Sequence, residues 1–340
     1  MKSVSVKTSL LYLLAILFLV SSCAGTEEEL DPNIPTTFGI RSDKSLSEYE
    51  AVATNAAPYN TNSYPDFNSI VAFSYSLDGS DDAEFVATGT LIDDEWILTA
   101  GHNFFSSDEQ TTPAIAAGII VLVGPDPNNP VLELEVESIV FHPSWLAQDD
   151  LFESANDLCL VKLKTPISSI TPAKLANTSE VSVGNQVWFA GYGDYSELDG
   201  QNPELFSKRH AIENTLDRIA TGLQSSANGQ TYSGTILATD FDDAGGLVNS
   251  LGDDYRSIDE NLLGDGSSSA MALPFEGTTV EGDSGCPIFL KVNNEWKVAG
   301  VLSGGADEPI RGHKDSSYGD ISIFISITDQ ISWINSVISN

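Results

Sequence analysis

From residue 70 onward the chain is written in short apolar runs broken by turn residues. "SIVAFSY", "FVATGTLI", "WILTA", "GIIVLVG", "VLELEVESIVF", "LCLVKL" and "NQVWFAGYG" follow one another in this way. In one of them Leu132, Leu134 and Val136 alternate with Glu133, Glu135 and Glu137, the period-two pattern of a strand with one buried face. Helical periodicity is rare. It is readable in a short piece near Leu146 to Ser154 and in the closing "DQISWINSVI", where Ile331, Ile334, Val337 and Ile338 fall on one helical face. Between Asp194 and Glu276 runs a stretch rich in Asp, Gly, Ser and Asn, with the strand-like "TYSGTILATDF" inside it. No internal repeat is visible. Many short strands with a lone terminal helix predict an all-β barrel or sandwich.

The first residues follow another pattern. Lys2 and Lys7 precede the apolar run "LLYLLAILFLV", which is too short for a membrane span with these flanks and fits a signal segment. The run ends in Val20-Ser21-Ser22-Cys23, small residues before a cysteine, which resembles a bacterial lipobox. The expectation is a signal peptide over 1–22 and lipidation of Cys23. The chain would then be exported and held at the cell envelope through its N-terminal lipid. The acidic run just after Cys23 resembles a surface-export signal. Residues 23–65, with Pro32, Pro35, Pro58 and Pro65, read as a tether passing into an N-terminal arm.

Charge narrows the partners. The 340 residues carry 15 Lys+Arg against 49 Asp+Glu, a formal net charge of −34. Such a surface repels nucleic acid and anionic membrane, so neither is expected as a direct partner. Three cysteines are present. Besides Cys23, Cys159 and Cys286 sit in apolar strand-like segments and read as small buried hydrophobes rather than a pair. No Cys/His spacing suggests a zinc site, and no cofactor is expected. Asp240, Asp242 and Asp243 in "ATDFDDAGG" have a spacing that carboxylates binding Ca²⁺ can use, without the full ligand pattern of an EF-hand loop; a solvated acidic loop is the favoured reading.

Three segments carry candidate chemistry. "TGTLIDDEWILTAGHNF" ends a strand at a small-residue turn that presents His102. "FHPSWLAQDDLFESANDLCLVKLKTPI" opens an apolar strand with Asp157, a position where a buried carboxylate needs a partner. "TTVEGDSGCPIF" surrounds Ser284 with glycines. Acyl transfer asks for such a set: a hydroxyl nucleophile, an imidazole base, and a carboxylate that holds the ring's tautomer. Backbone N–H groups, here those of Gly282 and Ser284, would meet the developing oxyanion.

These residues resemble the trypsin/chymotrypsin-like serine endopeptidases. The order His102, Asp157, Ser284 matches that family's triad. "FHPSW" is similar to its His-Pro-aromatic strand, and "VAGVLSGG" to the strand whose Ser303 and Gly305 pair with substrate backbone. "ISIFISITDQISWINSVI" looks like its last strand and helix. The resemblance implies two six-stranded antiparallel β-barrels, over residues 66–175 and 176–340, acting on proteins or peptides. The rival reading is a non-catalytic surface binding protein that keeps this fold. An esterase on another fold would call for Gly-x-Ser-x-Gly, which is absent. His142, His210 and His313 are left as surface or loop residues.

Some positions depart from the family. Asn103 stands where the family often has Cys, and Cys286 replaces a glycine. Members are often activated by cleavage before an Ile-Val-Gly-Gly start, whose new amine pairs with the Asp beside the nucleophile. Here that Asp is Asp283 and no such start exists. Either Ile40 becomes a new terminus, or Arg41 or another cation reaches Asp283 without cleavage. The family's primary pocket would have Thr278 at its floor, with Thr279 beside it, walls from Leu302 to Gly305 and from Ser322, and no acid among them. That implies cleavage after uncharged residues.

Overall fold

A computed structural model describes residues 34–35, 37–75, 85–104, 116–146, 155–195, 207–222, 231, 233–252, 263, 266, 268–306 and 315–339. Residues 1–22, read above as a signal segment, Cys23 and His313 lie outside the described residues.

The chain is mostly β. Strands β1 (Ile70–Tyr75), β2 (Phe85–Leu91), β3 (Trp96–Thr99), β4 (Ile120–Val123), β5 (Leu132–Phe141) and β6 (Cys159–Leu163) form a closed antiparallel barrel in the order β1-β2-β3-β6-β5-β4. Closure comes from β1, which pairs with β2 on one side and β4 on the other. The apolar run Ile70–Phe73 of β1 follows from its place. Val71, Phe73 and Tyr75 point into the first barrel. Ile70 and Ala72 belong to the larger core shared with the second half. A strand buried on both faces cannot alternate.

The second half contains β7 (Lys174–Leu175), β8 (Gln186–Gly191), β9 (His210–Thr215), β10 (Arg218–Thr221), β11 (Thr235–Asp240), β12 (Pro287–Val292), β13 (Glu295–Ala306) and β14 (Ile321–Ser326). Its sheet runs β10-β11-β14-β13-β12-β8-β9, with β7 added in parallel to β13. The two ends of that path, β9 and β10, are consecutive in the chain, separated only by Leu216 and Asp217. Taken as one bent strand they wrap the sheet into a second six-stranded barrel. The fold is thus the expected double barrel.

Among the described residues three α-helices have ranges: α1 (Leu46–Ala53), α2 (Pro143–Leu146) and α3 (Ile331–Ile338). The terminal helix α3 is where the periodicity put it, with Ile334 wholly buried and Trp333 edge-on to His142 at 4.7 Å. Of the predicted piece from Leu146 to Ser154, residues 147–154 lie outside the described residues, and the helix that is described precedes it. Helix α1 sits in what read as a tether. It had a readable signal: Ser45 and Glu48 form a reciprocal capping box at its N-terminus. Tyr49, Val52 and Ala53 are buried there. Arg209, itself 1% exposed, binds the helix end by donating Nη2–H to the Ala53 carbonyl, and donates Nη1–H to that of Ile70.

Candidate active site

His102 lies in a single tight turn, Gly101–Phe104, directly after β3. Asp157 precedes β6, the neighbour of β3 in the first barrel. That pairing places the end of one strand beside the start of the other. The result is a set of short contacts. His102 Nδ1 lies 2.6 Å from Asp157 Oδ2, and the His102 backbone N–H donates to Asp157 Oδ1 at 2.8 Å. Asp157 has no exposure to solvent. An ionised carboxylate can only accept, so the ring carries its proton on Nδ1 and turns a bare Nε2 outward. Ser284 Oγ is 2.9 Å from that Nε2. Burial pulls the His102 pKa down, but the charge and hydrogen bond of Asp157 outweigh it and leave the ring above its ordinary value.

Ser284 comes from the turn between the two barrels' surfaces, and the first barrel holds it. Thr88 in β2 donates its backbone N–H to the Ser284 carbonyl at 2.9 Å and its hydroxyl to the Gly282 carbonyl at 3.0 Å. Asn103 Nδ2 donates to the Ser284 carbonyl at 3.0 Å and to Thr99 Oγ1 at 3.0 Å. Asn103, where the family often has Cys, is therefore a support of the nucleophile turn. Gly282 has φ of 95°, a conformation that favours glycine, and a Cβ there would lie 3.1 Å from Gly193 Cα. Among the described residues the N–H groups of Gly282 and Ser284 have no acceptor within the chain. They stand beside the Ser284 hydroxyl as free donors.

Ser303 is placed by an irregularity in β13. The pairing with β14 slips between Leu302 and Gly304, so Ser303 drops out of the ladder. Its Oγ donates to Asp157 Oδ2 at 2.6 Å. The residue assigned to substrate backbone thus also completes the carboxylate's set of donors. Gly305 remains in register, opposite Ser322.

A cavity of about 240 Å³ opens beside Ser284, lined in part by Thr278, Thr279, Leu302, Gly305, Asp315 and Asp320. The hydroxyls of Thr278 and Thr279, both on the lining, each bond to Ser322 Oγ, at 3.1 and 3.0 Å. The expectation of walls without an acid is corrected here. Asp315 and Asp320 come from the segment before β14, and Asp320 is 5% exposed. Position in the chain did not reveal this, because Asp315 and Asp320 reach the cavity from outside the segments expected to wall it.

Of the histidines read as surface or loop residues, His142 does lie in the link between β5 and α2, though buried, and His210 is corrected to a buried strand position. His210 lies in β9 with its ring on Tyr195 at 4.8 Å, and burial drives its pKa to about 3. Cys159 and Cys286 are both buried and unpaired.

Of the three carboxylates weighed as Ca²⁺ ligands, two face separate sets of backbone donors, while Asp242 Oδ1 is buried with no hydrogen-bond partner among the described residues. Asp243 accepts the N–H groups of Gly245, Leu247 and Val248, and Asp240 accepts that of Leu251. Among the described residues no group of three or more His, Cys, Asp or Glu is disposed to hold a metal. What the insertion does build is a buried acidic cluster. Burial is the leading cause that raises the pKa values of Asp217, Asp242 and Glu276, with Asp240 adding to each; Glu276 reaches about 8. Such a group keeps a proton in the folded chain that the unfolded chain has lost. Between the two pKa values the unfolded state binds fewer protons, so stability falls as pH rises. The window runs from about 4, the ordinary carboxyl value, to about 8 for Glu276. Each such carboxyl costs ~1.4 kcal/mol per pH unit, or roughly 2 °C of Tm at this chain length. Calorimetry from pH 5 to pH 8 should show a steady fall in Tm, flattened by Asp242→Asn. A level or rising Tm would refute it.

Comparison with known proteins agrees with the geometry. The sequence model of the family described as Trypsin matches residues 60–246, more than half of the chain, a span that includes His102 and Asp157. The chain is also similar to the complement C1s-1 subcomponent of Mus musculus, 33% identical over 116 residues. That match covers 32% of this chain and 16% of the relative, so this chain spans only a small part of that protein's length. The double barrel, the His-Asp-Ser order and the family match lead to one assignment: the chain belongs to the trypsin/chymotrypsin-like family.

Proposed function

We propose that this chain is a serine endopeptidase with Ser284 as nucleophile, His102 as base and then acid, and Asp157 as the group that orients the ring. The observation that carries the proposal is the unbroken run of contacts from Asp157 through both nitrogens of His102 to Ser284 Oγ. In the first step the Ser284 hydroxyl proton passes to His102 Nε2 as Oγ bonds to the substrate carbonyl carbon. The carbonyl oxygen becomes an oxyanion and accepts the N–H groups of Gly282 and Ser284. His102 then gives its proton to the departing amine, leaving an acyl-serine. Water, deprotonated by the same ring, releases the acid and restores the hydroxyl. A fluorophosphonate probe should label Ser284 in the folded chain; a binding module of the same fold would stay unlabelled.

For the residue before the scissile bond we propose an uncharged side chain. At the floor expected for the pocket, Thr278 and Thr279 offer hydroxyls, each already bonded to Ser322. A second reading is favoured by Asp315 and Asp320 on the cavity lining, whose carboxylates would pair with Lys or Arg. A peptide library separates the two. Cleavage spread over uncharged residues supports the first, and dominance of Lys or Arg transfers the specificity to the two aspartates.

The proposed site of action is the bacterial cell envelope, with the lipid on Cys23 holding the enzyme at a membrane surface. Cys23→Ser should move the protein from the membrane fraction to the soluble one without changing specific activity. Wild-type protein that is soluble and lacks lipid on its N-terminal peptide would refute the anchor.

A further inference from the structure

Asp283 separates the two proposed oxyanion donors, Gly282 and Ser284, and is completely buried. Its carboxylate is fully engaged. Oδ2 accepts the Tyr195 hydroxyl at 2.6 Å and the Val280 N–H at 3.0 Å, and Oδ1 accepts the Gly193 N–H at 2.9 Å. Neither partner expected from the sequence is there. Arg41 clamps Asp43 with two bonds of 2.8 Å and donates a third to the Leu273 carbonyl. Ile40 lies mid-chain in a β-bridge to Gly277 and is 1% exposed.

The bonds around Gly39 and Ile40 hold both sides of the peptide link between them. Gly39 donates its N–H to the Ser316 carbonyl and accepts that of Thr278. The Thr37 hydroxyl donates to the Ile40 carbonyl. Gly39 also presses on Tyr195. A Cβ at that position would lie 2.4 Å from Tyr195 Cδ1 and 2.8 Å from Val280 Cγ1. The Tyr195 ring also packs against the buried His210 ring. The phenol is therefore wedged by the uncut arm, with its hydroxyl aimed at Asp283. On the other side, Gly193 leaves room for the carboxylate: a Cβ there would come within 2.6 Å of Asp283 Oδ2.

We infer that Tyr195 is the internal partner that orders the nucleophile turn, and that the chain acts with its Gly39–Ile40 bond intact. Tyr195 is a positioning residue. It touches no reacting atom and works through Asp283, whose fixed carboxylate sets the peptide units on both sides of it. A phenol suits the place because it stabilises a buried carboxylate by a short charge-assisted bond without adding a second buried charge. The N-terminal arm becomes part of the active enzyme, since it is what holds the phenol.

This inference rests on the peptidase reading above, and the test separates the two. The full chain is labelled with a fluorophosphonate, and the labelled species are characterised by intact mass and N-terminal sequencing. Labelled molecules that retain the Gly39–Ile40 bond are expected. Labelled molecules that all begin at Ile40 would overturn the inference and leave the peptidase reading standing; an uncut chain that stays unlabelled while chain cut before Ile40 is labelled would do the same, and a chain unlabelled in both forms would overturn both. Tyr195→Phe, checked for folding by its thermal transition, should lower kcat on the order of 10- to 100-fold with KM nearly unchanged, because the oxyanion donors act in the transition state. Affinity for a peptide boronate should fall in parallel. Unchanged kcat and boronate affinity in the folded variant would remove Tyr195 from the role. Should that variant not fold, the mass of the labelled wild type decides alone.

Discussion

Ser284→Ala should leave a folded protein whose peptide hydrolysis is slower by on the order of 10⁴-fold or more. The side chain removed is small and lies at the mouth of a cavity, so little packing is lost. Its carbonyl still accepts from Thr88 and Asn103, so the turn that carries it keeps its shape. What disappears is the hydroxyl proposed to bond to the substrate carbon. His102→Ala should cost about as much, and the double variant little more than either, since nucleophile and base act as one unit. Turnover of a defined peptide is the measurement, with unfolding curves alongside. A well-folded Ser284→Ala protein with near-wild-type turnover would end the proposed mechanism.

Asp157→Asn should lower kcat at neutral pH on the order of 10³- to 10⁴-fold. The carboxylate accepts three donors: the ring Nδ1–H, the His102 backbone N–H and the Ser303 hydroxyl. An amide can turn its NH₂ toward Nδ1 and so move the ring proton to Nε2, where it blocks uptake of the serine proton. Loss of the charge also removes what holds the His102 pKa up. The sign of the pH effect follows. The base must be neutral, so wild-type activity is lost as pH falls through a His102 pKa above its ordinary value. In the variant that limb should move to lower pH, while the plateau drops. A kcat/KM profile over pH 5 to 9 reads both. An unchanged limb together with an unchanged plateau would deny Asp157 its role.

Where sequence and structure part, the reason is distance along the chain. Helix α1 was written locally, in the capping box of Ser45 and Glu48, and a closer look at caps within the polar arm would have found it. Strand β9 was not, because "HAIENT" is buried throughout all but its last residue and shows no alternation. Thr88 is an ordinary strand threonine until the fold brings it against Gly282 and Ser284, 194 and 196 positions on. Tyr195 meets Asp283 across 88 positions, and Ser303 meets Asp157 across 146. No spacing rule spans such intervals.

The residues alone determined the strand-rich architecture, the terminal helix and the candidate trio of His102, Asp157 and Ser284. The first two depend on periodicity, where neighbouring side chains dictate the backbone; the trio rests on three local motifs in the order of the family they resemble. Tertiary structure decided which groups hold that trio and what lines its pocket. Asp283 could have faced an amine, Arg41 or a phenol, and only the packing of Gly39 on the Tyr195 ring selects the phenol. Asp315 and Asp320 join the pocket for the same reason. A buried polar group must find a partner, and which partner is within reach depends on how distant segments pack.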